Sequence, residues 1–341
     1  MPPHPSQGGI PTIASYSLAN ASGFSVDLIN YGATVTSIRA PDRHGRLADV
    51  VLGFSTPASY LASHPYFGAI AGRVAGRITG ARFTLDGREY PLAANDPPNH
   101  LHGGRTCFDR RFWSATSVTS SSVRLTYHSP AGEEGYPGAV DAIVTYTVTL
   151  DNSLVVETET ASDHPTPCSL TQHSYFNLAG QGEGTIEHHE LQIQADAFAP
   201  TDDYMGFLAR RESLVNCSND FTHPRRLSDA IPHLFNNHGD LYFLPRSGTN
   251  TPRQAARLTD PITGRVLTVS TTESCLQLYT GVSLDGTLIG KSGRPYGRHA
   301  GLCLECEGYP DGANTPALGD IILLPGHPRR QTTVYAFSTE P

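Results

Sequence analysis

The feature that most constrains this chain is a repeated pattern of short runs in which apolar and polar residues alternate, each cut off by glycine or proline. Side chains of an extended strand point alternately to opposite faces, so such a run marks a strand with one buried face. The clearest run is Ile143 to Leu150, where Val144, Tyr146, Val148 and Leu150 share one face and Ile143, Thr145, Thr147 and Thr149 the other. Phe24-Val26-Leu28, Val123-Leu125-Tyr127 and Leu154-Val156-Thr158 alternate in the same way. Further strands are predicted at Val266 to Thr271, Cys275 to Thr280, Gly301 to Glu307 and Thr332 to Ser338. Phe83 to Tyr90 reads as a hairpin, because Asp86-Gly87 suits the two positive φ values of a type I′ turn. The 33 glycines and 26 prolines are spread through all 341 residues. Helical signals are confined to Thr56 to Leu61 and Arg226 to Ile231, and no repeat or linker divides the chain. The expected architecture is all-β: one domain over residues 1–341, built as a large, mainly antiparallel β-sandwich.

Composition then excludes several kinds of function. A formal net charge of −8 argues against a nucleic-acid binder, which needs a basic face. Lys291 is the single lysine, which disfavours Schiff-base chemistry. No apolar run reaches the roughly 18 residues of a membrane-spanning helix. Met1 to Gly9 lacks the charged and apolar regions of a secretory signal, so a cytoplasmic location is expected. Of six cysteines only Cys303 and Cys306 form a C-x-x-C pair, with no second pair to complete a zinc site. Reduced, buried thiols are the simpler expectation. A monomer or homodimer is expected, with no nucleic-acid or membrane partner.

Several segments are dense in groups that do chemistry. In Asn99-His100-Leu101-His102-Gly103-Gly104, an extended chain would send His100 and His102 to the same side, where two imidazoles could hold a metal. Otherwise one of them is a solvated loop residue. His173 sits among Tyr175, Phe176 and Asn177, which suits either a sugar site or a satisfied core histidine. In Leu302-Cys303-Leu304-Glu305-Cys306-Glu307, carboxylates interrupt an apolar strand. Buried there, they would have raised pKa values and could act as general bases, and spacing does not rank Glu305 against Glu307. Glu133 and Glu134, in a glycine-rich turn, read as surface charges. Gly72 to Ile78 lacks the Gly-Lys-Ser/Thr ending of a phosphate loop, so its arginines suit a sugar better than a nucleotide.

Taken in order, these segments resemble the galactose mutarotase (aldose 1-epimerase) family across nearly the whole chain. The matching stretches are Asn30 to Ala33, Gly72 to Ile78, Asn99 to Gly104, Gly132 to Gly138, His173 to Gly180, Leu276 to Gly281, Leu284 to Thr287 and Gly301 to Asn314. The resemblance implies a supersandwich fold and interconversion of the α and β anomers of a free aldohexose such as galactose or glucose, with no cofactor or metal. It implies His173 and Glu305 as the catalytic pair, and Arg77, His102, Asp240 and Gln277 as sugar-binding residues. A carboxylate near His173 would favour its protonated form. Three departures bear on the choice of sugar. Gly76 stands where many members have asparagine, Gln172 replaces an asparagine, and Asp240 lacks the histidine that often follows this aspartate. Rival readings are an enzyme for another hemiacetal or a phosphorylated sugar, with Arg73 as its extra cation, a silent carbohydrate-binding protein, and a two-carboxylate glycosidase.

Overall fold

The structure is a computed structural model that describes residues 12–245 and 250–341. The segment read above for a secretory signal lies outside the described residues. A nine-stranded antiparallel sheet forms the backbone of the fold. In spatial order its strands are Ser114–Val118, Ser122–Ser129, Val140–Val148, Ser153–Ser162, Arg329–Thr339, Arg265–Thr271, Arg253–Thr259, Glu190–Ile193 and Arg225–Arg226. A four-stranded sheet runs in chain order through Ser15–Ala19, Ser25–Ile29, Thr34–Pro41 and Leu47–Asp49. A five-stranded sheet carries Glu212–Ser213, Ala197–Ala199, Leu241–Phe243, Cys275–Tyr279 and Cys303–Glu307.

The alternation in sequence is what binds these sheets face to face. In Val140–Val148, Val140, Ala142, Val144, Tyr146 and Val148 are buried while the residues between them are half-buried or exposed. Val144 and Tyr146 join one continuous core with Val26 and Leu28 of the four-stranded sheet, and with Tyr242, Leu276, Leu278, Leu304 and Cys306 of the five-stranded one. Each such large apolar side chain stabilises the fold by roughly 1.5–3 kcal/mol when fully buried. The Tyr146 hydroxyl also donates 2.6 Å to the Ala33 carbonyl, which satisfies the one polar atom the strand carries inward.

The hairpin at Arg82–Leu85 and Arg88–Pro91 closes through Asp86 at φ 50° and Gly87 at φ 75°, as the turn chemistry requires. Leu150 falls beyond its strand and is exposed, so the predicted run is one repeat too long. Among the described residues helix is limited to short turns such as Pro57–Leu61 and Leu227–Ala230. No described helix is long and apolar enough to cross a membrane. All six cysteines are free thiols, and five of them are buried.

The placement of the site follows from one property of the five-stranded sheet. Its strands expose alternate faces, and Gln277 pairs with Glu305 in one direction and Leu241 in the other. Even-numbered neighbours Leu276, Leu278, Leu304 and Cys306 face the core. The odd-numbered face, with Gln277, Tyr279 and Glu305, is left to line a pocket.

Candidate active site

Two short pairings bring distant segments to that face. Thr171–Gln172 pairs with Ile70–Ala71, and Arg77–Ile78 pairs with His100–Leu101. The pocket so formed is lined by Tyr66, Gly76, Arg77, Asp96, His102, His173, Tyr175, Phe207, His238, Gln277, Tyr279, Ser283 and Glu305, with Pro65 and Leu101 at its margin. Five of the six residues singled out from the sequence therefore meet in one place.

His173 is fixed from both sides. Its amide donates to the Ala69 carbonyl and its carbonyl accepts from the Gly68 amide, each at 2.9 Å. The Gln172 amide side chain braces the same turn by donating to Gly68 and Ser174. The His173 ring packs against Tyr66, Tyr175 and His102 at 5.6, 5.2 and 5.0 Å between centroids. Its Nε2 lies 3.4 Å from Glu305 Oε2, and both side chains are almost completely buried. That separation is within ion-pair range but outside hydrogen-bond geometry, and Glu305 Oε2 has no hydrogen-bond partner. Burial pushes Glu305 up to about 8, against the pull of Arg77, and pushes His173 down to about 4. Desolvation thus outweighs the expected preference for a protonated His173.

Arg77 donates from Nε to Asp96 Oδ2 at 2.6 Å, which aims the rest of the guanidinium. His102 and Gly76 are tied twice, by the His102 amide to the Gly76 carbonyl at 3.0 Å and by the Gly76 amide to His102 Nδ1 at 3.1 Å. Because Nδ1 accepts that bond, the neutral ring carries its proton on Nε2. Burial and the neighbouring His173 and Arg77 hold the ring neutral. Gln277 donates to the Leu278 carbonyl at 2.6 Å and keeps its amide oxygen free of that bond.

Asp240 is the residue the structure does not bring in. It precedes Leu241 by one position, so the pleat sends it to the face opposite Gln277 and Glu305. There its carboxyl accepts from Asn219 Nδ2 at 3.2 Å and borders a separate hollow with Phe198, Cys217 and Phe235. Burial raises it to about 6. The residue before it, Gly239, has φ 101°, and a Cβ there would stand 2.5 Å from the Leu278 carbonyl oxygen. Gly239→Ala is therefore expected to destabilise the protein by about 1–3 kcal/mol, read from the midpoint of urea unfolding. An unchanged midpoint would show that the turn relaxes freely.

Other expectations are corrected by local geometry. His102 has φ 50°, so the extended stretch ends at Leu101 and the two histidines do not share a face. His100 is instead a buried structural residue, with Nδ1 donating to Ala93 and Nε2 accepting from the Tyr136 hydroxyl, both at 2.8 Å. Arg73 is 2% exposed and caps the carbonyls of Ser129, Pro130, Pro137 and Gly138, which removes it as a cation for a phosphosugar. Glu133 and Glu134 are not idle surface charges. Glu133 pairs with Arg111 and accepts from Tyr127, each at 2.7 Å, and Glu134 receives the amides of Arg105 and Thr106.

Among the described residues two groups have metal-ligand types close together, His102–His173–Glu305 and His188–His189–Asp260. Neither fits a cation well. The Gly76 amide occupies the lone pair of His102 Nδ1, and the Leu178 amide, at 2.9 Å, occupies that of His189 Nε2. In each neutral ring the other nitrogen then bears a proton where a ligand would need a lone pair.

The arrangement is that of an acid/base enzyme, with two titratable groups in van der Waals range, ringed by aromatic faces and by hydrogen-bond donors that include the Arg77 guanidinium. The aldose 1-epimerase family model matches residues 14–336. A galactose mutarotase from Bos taurus is 43% identical over 330 residues, spanning 97% of this chain and 95% of its own. An aldose 1-epimerase from Escherichia coli (strain K12) is 32% identical, spanning 95% and 94%. A solved GalM/aldose epimerase homologue from C. elegans superposes with a TM-score of 0.91 at 27% identity, covering 97% of this chain and 100% of that one. This chain belongs to the aldose 1-epimerase family.

Proposed function

We propose that this aldose 1-epimerase interconverts the α and β anomers of a free aldohexose such as galactose or glucose, with Glu305 and His173 moving the protons. The observation that carries the assignment of roles is Glu305 Oε2, a buried carboxyl oxygen without a hydrogen-bond partner, 3.4 Å from His173 Nε2 on the wall of an aromatic pocket. An anomeric hydroxyl supplies the donor that this oxygen lacks. Hydrogen bonding to the carboxylate favours its charged form, and Arg77 acts in the same direction.

Before a sugar binds, burial favours neutral His173 beside protonated Glu305. Moving one proton between them gives the imidazolium–carboxylate pair, with the same total number of protons. In that form Glu305 takes the proton of the C1 hydroxyl while His173 gives one to the ring oxygen as the C1–ring-oxygen bond breaks. The open-chain aldehyde rotates about C1–C2, and closure on the other carbonyl face returns both protons. Arg77, through its guanidinium, and His102, through Nε2–H, are the proposed donors to sugar oxygens, with the Gln277 amide oxygen as an acceptor. They limit the sugar to poses that react. No step requires a metal or cofactor.

We further read residues 1–341 as one domain, acting in the cytoplasm as a monomer or homodimer. A glycosidase reading is less favoured. Asp96, the other carboxylate on the pocket, is bound to Arg77, and Glu307 is sealed from it. Polarimetry on freshly dissolved α-D-galactose and α-D-glucose tests the reaction directly. The protein is expected to speed the approach to equilibrium for at least one of them, and spontaneous rates for both would turn the reading toward another hemiacetal.

A further inference from the structure

His238 stands on the pocket wall, two residues before the aspartate that turned away. Its place is set by the backbone. The Thr280 amide donates to its carbonyl at 2.9 Å, and its ring lies 4.7 Å from that of Tyr279. Its Nδ1 is 3.0 Å from the Gly239 carbonyl oxygen. A carbonyl can only accept, so Nδ1 carries the proton and Nε2 keeps a lone pair. Burial, reinforced by the charge of Arg77, holds the ring neutral with its pKa at about 4.

His102 is the mirror case, for there the backbone amide of Gly76 takes Nδ1 and leaves Nε2–H as a donor. Of the three imidazoles that line the pocket, His102 and His238 each have their tautomer fixed by a backbone group, in opposite senses. We propose that His238 is a specificity-determining residue of the sugar site, accepting a hydrogen bond from one non-anomeric hydroxyl of the substrate through Nε2. The inference rests on the sugar-binding reading given above.

The chemistry of a neutral acceptor defines what the site takes. A hydroxyl has a proton to give it, whereas a phosphate ester or carboxylate at the same place would set oxygen lone pairs against a nitrogen lone pair. The preferred ligands are therefore uncharged aldoses, and a sugar carrying an anionic group at that position is rejected. A neutral ring also provides an acceptor without a second negative charge near Glu305, whose carboxylate form is already opposed by burial. A sugar lacking the hydroxyl leaves Nε2 buried and unpaired, a loss of roughly tenfold or more in affinity.

The test compares wild type, His238→Phe and His238→Gln, first checked for a cooperative unfolding transition. Galactose and its 2-, 3-, 4- and 6-deoxy analogues are followed by calorimetric binding and by anomer exchange in NMR. Wild type is expected to discriminate against one deoxy analogue by roughly tenfold or more, in Kd and in kcat/KM. His238→Phe keeps the ring but no nitrogen, and is expected to raise KM for galactose while flattening that single discrimination to within about twofold. His238→Gln offers an amide oxygen and should restore part of it. Equal discrimination profiles in wild type and His238→Phe overturn the inference. If sugars bind but are not epimerised, the catalytic reading falls while the binding profile still decides the role of His238. Absence of both binding and turnover overturns the two together.

Discussion

Glu305→Gln is expected to lower kcat by about 10²–10⁴-fold and to leave the folded state intact. Glutamine keeps the size of the side chain, and Glu305 Oε2 has no hydrogen bond to lose. What disappears is the site that receives the anomeric proton. His173→Asn is expected to lose activity to a similar degree, because the ring oxygen then has no acid. It should also cost some stability, since the ring packs on Tyr66, Tyr175 and His102. The double variant should be little worse than either single one, as residues that act as a unit are not additive. The pH dependence follows from the same pair. With His173 down at about 4 and Glu305 up at about 8, the pair holds a single proton between those values. Below the window it gains a second proton and has no base, and above it loses the first and has no acid. kcat/KM should therefore be bell-shaped, with limbs that belong to the pair rather than to one residue. Near-normal turnover in Glu305→Gln, or a profile flat across both limbs, would remove the assignment.

How much of this was legible in the sequence depended on whether the information was local. The part of Val140–Val148 from Ile143 onward was readable because its period of two decides which face is buried, and the Asp86-Gly87 turn because only a few residues accept its backbone angles. The Cys303–Glu307 strand was half readable. Alternation puts Glu305 and Glu307 on one face, but only the fold shows that Glu305 opens to the pocket while Glu307 lies against Gly76, outside the pocket lining. Arg77, His102, His173 and Gln277 came through the order of the motifs. Asp240 did not, because an offset of one position in a pleated strand reverses the direction of a side chain, and the motif alone does not carry the register. His100 and His102 failed for a related reason, as one left-handed residue ended the alternation on which their pairing depended. Tyr66, Asp96, His238 and Tyr279 left no signal strong enough to pick them out. They reach the pocket from separate loops and strand ends, and no period in the sequence links them.

Glu307→Gln is expected to stabilise the protein increasingly as pH rises, with little loss of turnover. Glu307 is 0% exposed, and neither carboxyl oxygen has a hydrogen-bond partner. Its Oε1 lies so close under the pocket wall that a Cβ on Gly76 would stand 2.9 Å from it. Burial drives its pKa well above the ordinary carboxylate range, the charges of Glu305 and Glu273 drive it further, and Arg77 opposes them. The folded protein therefore keeps a proton here that the unfolded chain releases at the usual carboxylate pKa. Between those two values the native state binds more protons, so stability falls with rising pH by about 1.4 kcal/mol per unit for this one group. The stability is fully present below the unfolded value and is lost progressively up to the folded one. Glutamine matches the neutral acid in size and in having both a donor and an acceptor, but has no proton to lose. Urea unfolding of wild type and variant at about pH 5 and about pH 8 makes the comparison. Glu305 adds a slope in both proteins, and because its charge acts on Glu307 the difference between them reads the Glu307 proton together with that interaction. The gap should open in favour of the variant at the higher pH, whereas parallel stabilities would mean that Glu307 is ionised and paired in the native state. Because its carboxyl does not line the pocket, kcat in the variant should stay close to that of wild type. That separates a buried proton that weakens the fold from the neighbouring one on Glu305 to which the proposed chemistry is assigned.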